Sequence, residues 1–304
     1  MTAAATAIGV LGLGRTGMPV AHNLLARGRA VVGYRRSDAS ELARAGGRVA
    51  RHPREVAEGA RVILSVLPSP AALEEVMAGA DGLLAALGPE HVLVELSSYP
   101  LAVKERYRVL LGERGATFID GEISGTPAMT AARRAVFLLA GERAACEAVL
   151  PICRDATEHA LYAGAFGSAT KLKLVANLLV AVHTAAAAEA LLLVERAGLD
   201  VPLAIDVLGL GAGSSTMFTA RAKSMAARRF VDPAPGPVAM LSAYLEPIAQ
   251  LAANAEAPSP LFAVASALYR DALAGGRAQE DIGCVIDLLD KAGTQNLRTK
   301  GTPT

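Results

Sequence analysis

Tryptophan is missing from this chain, and aromatic residues supply only 4% of it. Recognition of nucleic-acid bases draws on stacked rings, so no nucleic-acid partner is expected. An excess of charge is missing too: 30 basic residues face 29 acidic ones, for a formal net charge of +1. That balance offers neither a polyanion-binding surface nor an acidic tail. Cysteine is scarce. Cys146, Cys153 and Cys284 form no CxxC and no Cys/His metal spacing, so neither a disulfide framework nor a metal site is expected. They read as small buried hydrophobes in a reducing compartment, and a cytoplasmic location is the expectation. The opening MTAAATAIGVLGLG has no basic leader region and runs into a strand and a turn. The long apolar run from Leu174 to Val194 is interrupted by Asn177, His183, Thr184 and Glu189. It is expected to be a core helix rather than a membrane span.

Apolar content is 52% over 304 residues, enough for two domains. In the first half, apolar runs at 7–12, 30–36, 61–68 and 91–98 alternate with helical patterns, and further strand-like runs follow at 116–124, 135–141 and 158–164. Strict alternation predicts an α/β Rossmann domain, a doubly wound and mostly parallel sheet. From about Gly167 the strand signals stop. A long helix is predicted to about Glu195, with Gly198 as its C-cap. Further helices are broken at 209–215 and 231–238. The predicted division is therefore a dinucleotide-binding domain over 1–165 and an all-helical substrate and dimerisation domain over 166–304, joined by the long helix.

Gly12-Leu13-Gly14-Arg15-Thr16-Gly17 follows the first strand and opens a helix. In that context a GxGxxG pattern predicts a dinucleotide site. Gly12 permits the tight turn, Gly14 lets the backbone approach a pyrophosphate, and Gly17 lets the helix pack closely. The free N–H groups of the helix start favour an anion. The second strand ends in Arg35, Arg36 and Ser37, where an acidic residue would ordinarily hold the ribose hydroxyls of NAD. Two guanidiniums suit a 2′-phosphate, so NADP is expected ahead of NAD. Asp38 comes too late for the ribose and is assigned to capping the next helix.

Four segments, GVLGLGRTGMPVAHNLL, VELSSYP, DGEISGTPAM and GSATKLKLVANLL, stand in the order and spacing of the β-hydroxyacid dehydrogenases. The chain resembles that family, the relatives of 3-hydroxyisobutyrate dehydrogenase and of glyoxylate/succinic semialdehyde reductase. The resemblance implies a Rossmann domain followed by a helical domain, and NADP(H)-dependent hydride transfer between a small β-hydroxy acid and its aldehyde or keto acid. It assigns the cofactor to residues 12–17, to Leu67 and Pro68 at the end of the 61–68 run, and, at the nicotinamide end, to Ser98. It assigns the substrate to Ser124 and Gly125, with Thr126 where the family has a second glycine, and makes Lys173 catalytic with Asn177 beside it.

Helix geometry points the same way. Residues four apart share a face, so Lys173 and Asn177 stack, whereas Lys171 lies about 200° from Lys173. An ammonium on Lys173 can give a proton to a developing alkoxide and recover it in oxidation, and burial would lower its pKa toward neutrality. Lys171 is expected to be a snorkelling side chain. His183 lies off that face, and His22 sits on the first Rossmann helix; both are expected to be structural.

The resemblance weakens in the second half. Where the family carries a Lys-Asp pair this chain has Ala243 and Tyr244, which makes Tyr244 a substrate-specificity candidate. Asp281 falls at the aspartate of the family's closing helix. Two other readings stay open: an imine reductase on a similar two-domain scaffold, and a non-catalytic dinucleotide-binding homologue. With so few charges between Leu174 and Val194, the second domain is expected to bury surface in a homodimer, with a tetramer also possible.

Overall fold

Short apolar runs become buried strands where helices cover both faces of a sheet. The computed structural model describes residues 7–230, 234 and 236–291 of the chain, which divides into two compact units between Lys173 and Leu174. The first unit carries strands β1 (Ala7–Leu11), β2 (Val31–Tyr34), β3 (Arg48–Val49), β4 (Ala60–Ser65), β5 (Val92–Glu95), β6 (Thr117–Ser124), β7 (Val136–Ala140) and β8 (His159–Gly164). Between them run α1 (Gly17–Ala26), α2 (Ser40–Arg44), α3 (Pro53–Gly59), α4 (Pro70–Ala78), α5 (Leu101–Gly112), α6 (Pro127–Ala131) and α7 (Arg143–Ala156).

The sheet order is β3-β2-β1-β4-β5-β6-β7-β8. Every pairing is parallel except β6 with β7, so β7 and β8 run against the rest. Side chains alternate across the sheet. Ile8 and Val10 of β1 join Val94, Ile119 and Phe137 under α1 and α7, while Leu11 joins Val32, Ile63 and Leu93 under α3, α4 and α5. Each such side chain contributes roughly 1.5–3 kcal/mol on burial. The chain leaves β1 for β2 and β3 on one side and returns to β4 on the other. That reversal opens a crevice beyond the C-terminal ends of β1 and β4, the place where doubly wound sheets bind ligands. The expected α/β Rossmann architecture is observed. Two features go beyond the sequence reading: the short strand β3 and the reversed pair β7–β8.

Helix α8 (Ser168–Arg196) follows, and the unit boundary falls inside it, eight residues after the position expected from the loss of strand signals. Its first turns belong with the sheet unit, because Thr170 and Lys173 bond to β6. By length and composition α8 would suffice to cross a membrane, but its Ala181, Ala188 and Leu191 are core residues of the second unit. Gly198, at φ +69°, ends it as expected, with the Leu199 N–H on the Val194 carbonyl.

The second unit continues with α9 (Val201–Leu210), α10 (Thr216–Ala226), α11 (Val238–Asn254) and α12 (Pro260–Ala274), then a 3₁₀ turn at Ile282–Cys284 and a helical stretch over 285–291. Phe218, Met225, Leu245, Phe262 and Tyr269 build its core. Arg221 and Asp281 lock it: Nε lies 2.8 Å from Oδ1, both side chains are buried, and Asp281 also accepts from the N–H groups of Gly236 and Gly283. Asp281 is thus held in a structural pair.

Candidate active site

The glycine loop is shaped as its residue types dictate. Gly12 sits at φ +84°, and a Cβ there would meet the Val66 carbonyl oxygen at 2.1 Å. A Cβ on Gly17 would meet the Gly12 oxygen at 2.0 Å, which fixes how closely α1 approaches the loop. Gly14 differs: no atom lies within 4 Å of its would-be Cβ, so its missing side chain leaves open space above the loop. Thr16 caps α1 without a side-chain hydrogen bond, and no acidic residue occupies the first turn. The helix start is therefore left to an anion. These features fit the pyrophosphate of a dinucleotide.

Residues 12–17, Arg35, Arg36, Ser37, Leu67 and Pro68 line one crevice of about 540 Å³, together with Tyr34, Val66 and Glu75. Arg36 pairs with Glu75 at 3.1 Å, both side chains exposed, while Arg35 makes no hydrogen bond or ion pair among the described residues. Asp38 turns away and accepts from the N–H and hydroxyl of Ser40 at the start of α2. The far wall is stitched to the loop after β5. The Leu67 N–H donates to Ser97 Oγ at 2.8 Å, and Tyr99 Oη donates to the Leu67 carbonyl at 2.9 Å. Ser98 does not line this crevice; its hydroxyl donates to Glu122.

Ser98 leads to a buried polar cluster on β6. Asp120, Glu122 and Ser124 alternate on one face of the strand. Lys104 reaches in from α5, completely buried, and its three N–H bonds go to Asp120 Oδ1 (2.9 Å), the Gly121 carbonyl (2.7 Å) and Glu122 Oε1 (3.0 Å). Thr170 of α8 binds Asp120 through its N–H and its hydroxyl. One turn later Lys173 Nζ donates to the Ile123 carbonyl at 3.0 Å. Burial lowers the pKa of Lys173 below the ordinary lysine value, and the Glu122 carboxylate partly offsets this. Burial pushes Glu122 itself up to about 7, against the pull of Lys104, Ser98 and Lys173.

Lys171 is exposed, on the side of α8 away from Lys173. Ser124 ends β6, and Gly125 follows at φ +151°. Thr126 acts locally, its hydroxyl accepting from the Met129 N–H to cap α6. Asn177, one turn beyond Lys173, is buried in the second unit, and Tyr244 packs on that unit's core. His183 is exposed and His22 is half-exposed near Glu41. The three cysteines are free and buried.

Residues 7–164 match the model of the NAD binding domain of 6-phosphogluconate dehydrogenase, and residues 167–289 that of the NAD-binding domain of NADP-dependent 3-hydroxyisobutyrate dehydrogenase. The NAD-dependent L-serine dehydrogenase of Pseudomonas aeruginosa is 30% identical over 93% of this chain and 97% of its own. The chain belongs to the β-hydroxyacid dehydrogenase family. The family's glyoxylate/succinic semialdehyde reductase 2 from Arabidopsis thaliana is 27% identical, covering 94% of this chain and 80% of that one. The crystal structure of 3-hydroxyisobutyrate dehydrogenase from Salmonella typhimurium superposes with a TM-score of 0.81 at 25% identity, over 92% of this chain and 99% of the other. As a member of this family the chain is an NAD(P)-binding oxidoreductase of the hydroxyacid dehydrogenase type.

The sequence reading missed Lys104, Asp120 and Glu122. Lys104 sits in the charged run KERYR, which looks like a solvated helix face. The alternation DGE on β6 looks like a half-exposed strand. The one available signal was VELSS beside DGEIS, three carboxylates on adjacent buried strands that need a cation among them.

Proposed function

We propose that this chain is an NADP(H)-dependent dehydrogenase or reductase that interconverts a small β-hydroxy acid and its aldehyde or keto acid, with Lys173 as proton donor and acceptor. The observation that carries the reading is the placement of Lys173. Its ammonium is anchored on the Ile123 carbonyl, one residue before Ser124, with a lowered pKa. A general acid whose pKa approaches the working pH both gives and recovers a proton.

The chemistry a bound dinucleotide supplies is hydride transfer. Residues 12–17 would hold its pyrophosphate and Leu67 and Pro68 its far side. Arg35 and Arg36 support NADP over NAD, since both line the crevice and no carboxylate ends β2 to take ribose hydroxyls. The Arg36–Glu75 pair is exposed and worth about 0–1 kcal/mol, so a phosphate can displace it. Ser124 and the N–H groups of Gly125 and Thr126 would bind the substrate carboxylate, Lys173 would protonate the developing alkoxide, and Asn177 would orient the lysine or the substrate hydroxyl. Tyr244 would shape specificity. Ser98, held by Glu122, would bound the nicotinamide end.

Lys173→Ala should lower turnover by on the order of 10²–10⁴ with cofactor affinity nearly unchanged, whereas Lys171→Ala should do little. Equal losses from both would overturn the assignment. Ala243 and Tyr244, replacing the family's Lys-Asp pair, favour imine reduction as the second reading. NADPH oxidation with succinic semialdehyde and glyoxylate against a cyclic imine separates the two. Tight NADPH binding without turnover of any aldehyde, ketone or imine would leave a non-catalytic binder. For the assembly we propose a homodimer, supported by the exposed Leu203, Val207 and Leu210 of α9; light scattering of the purified chain tests it. The free buried thiols support a reducing, cytoplasmic compartment.

A further inference from the structure

Ionisable side chains from four elements converge around β6, and their charges do not balance. Three are buried carboxyls: Glu95 on β5, in register with Asp120, then Asp120 itself and Glu122. One fully buried cation, Lys104, stands among them, with its three N–H bonds already committed. Asp120 is further answered by Thr170, and Glu95 Oε1 by the Ser97 N–H. Glu122 has Lys104 on one oxygen and the Ser98 hydroxyl on the other. It also precedes Ile123, on whose carbonyl Lys173 rests. Tyr99, from the loop after β5, adds only a phenol whose own ionisation burial has pushed up. The second cation of the cluster is therefore Lys173. One turn before it on α8 the Thr170 hydroxyl lies 3.5 Å from Glu122 Oε1, and Glu122 is the carboxylate whose charge acts on Lys173.

We propose that Glu122 is a positioning residue for Lys173: a carboxylate clamped by Lys104 and Ser98, whose negative charge keeps the proton on the lysine until a substrate oxygen takes it. The proposal rests on Lys173 being the proton donor. In reduction the N–H bond of the ammonium breaks, its electron pair stays on Nζ, and an O–H bond forms on the substrate. Above about pH 7, where Glu122 is ionised, it neither gains nor loses a proton in that step. It then faces a neutral amine, and its charge draws the next proton from solvent back to Lys173. The opposed influences described above fit this pairing: burial lowers the pKa of Lys173 and the Glu122 carboxylate raises it. Two groups so coupled titrate together.

The test needs no substrate. Competitive labelling with acetic anhydride across pH, read by mass spectrometry, gives the midpoint for each lysine in the full-length protein. In Glu122→Gln the Lys173 midpoint should fall by about one pH unit, while that of the exposed Lys171 stays put. In Glu122→Asp, which keeps the charge, it should stay near wild type. Coupling is reciprocal, so Lys173→Met should raise the midpoint of the carboxyl that titrates near neutrality, followed by its infrared C=O band; this arm stands even if Glu122→Gln does not fold. An unmoved Lys173 midpoint in Glu122→Gln, or an unmoved carboxyl band in Lys173→Met, overturns the proposal. A shifted midpoint in a protein that turns over no carbonyl compound leaves the pairing standing and defeats the dehydrogenase reading. Where turnover is found, the alkaline limb of the reduction profile should move to lower pH in Glu122→Gln; a purely structural role would lower kcat at every pH and leave the limb in place.

Discussion

The phenol of Tyr99 donates to the carbonyl of Leu67 at 2.9 Å, and Ser97, two residues earlier, accepts from the N–H of that same Leu67. One wall of the dinucleotide crevice is thus suspended from the neighbouring strand's loop by both backbone polar groups of one residue. Removing the phenol leaves a carbonyl unpaired, at a cost of about 1–3 kcal/mol. Tyr99→Phe should lower the melting temperature and weaken NADPH binding severalfold, as read by thermal melts and calorimetry.

The loop glycines should separate in their effects. Gly14→Ala meets nothing in the protein, so stability should change by less than about 0.5 kcal/mol. The new methyl stands in the ligand's space, so dinucleotide affinity should fall about five- to a hundredfold, the effect of ~1–3 kcal/mol of overpacking. Gly12→Ala combines φ +84° with a backbone oxygen at 2.1 Å and should destabilise the fold itself by about 1–3 kcal/mol. Denaturant melts with and without NADPH distinguish the two.

Arg35→Ser should raise the dissociation constant for NADPH about ten- to a hundredfold, the range for losing a charged hydrogen bond of ~1.5–3 kcal/mol, and leave NADH nearly unchanged. Glu75→Gln frees Arg36 from its exposed pair and should tighten NADPH binding by up to about fivefold. Fluorescence titration with both cofactors gives the ratio.

Glu122 also predicts a pH dependence of stability. Its folded-state value of about 7 lies above the ordinary 4.5, so between these limits the native state holds a proton that the unfolded chain has released. Stability from this group therefore falls as pH rises from about 4.5 to about 7. Glu122→Gln lacks the titration. Its unfolding free energy relative to wild type should rise across that window by on the order of 1–3 kcal/mol, measured by urea unfolding at pH 5 and pH 8.

Much of the fold was legible in the sequence because strands buried on both faces are unbroken apolar runs. The glycine spacing then fixed where the first of them turns. β3 escaped notice because it has two residues, both exposed. The reversal of β7 left no trace, since VFLLA looks the same whichever way it runs. Lys173 could be told from Lys171 because helix periodicity separates them. Its surroundings could not be read, because the partners that set its charge come from α5 and β6, and each of those segments taken alone resembles a solvated surface. Thr126 stood out as a departure from the family, while the reason for it, a cap on α6, is a hydrogen bond three residues away.

The reversal of β7 and β8 also works as a measuring device. Because both strands run against β6, the chain leaves β8 at Gly164 level with Asp120, and so with Leu11, Ser65 and Glu95 at the ends of β1, β4 and β5. Helix α8 starts from that level and returns along β6, touching Asp120 with Thr170 and the Ile123 carbonyl with Lys173. Each residue inserted between Gly164 and Thr170 and taken up by the helix would advance it by about 1.5 Å and turn it by about 100°. One added residue would swing the ammonium off its carbonyl while leaving every strand in place. The linker at 165–167 is therefore a length standard for Lys173.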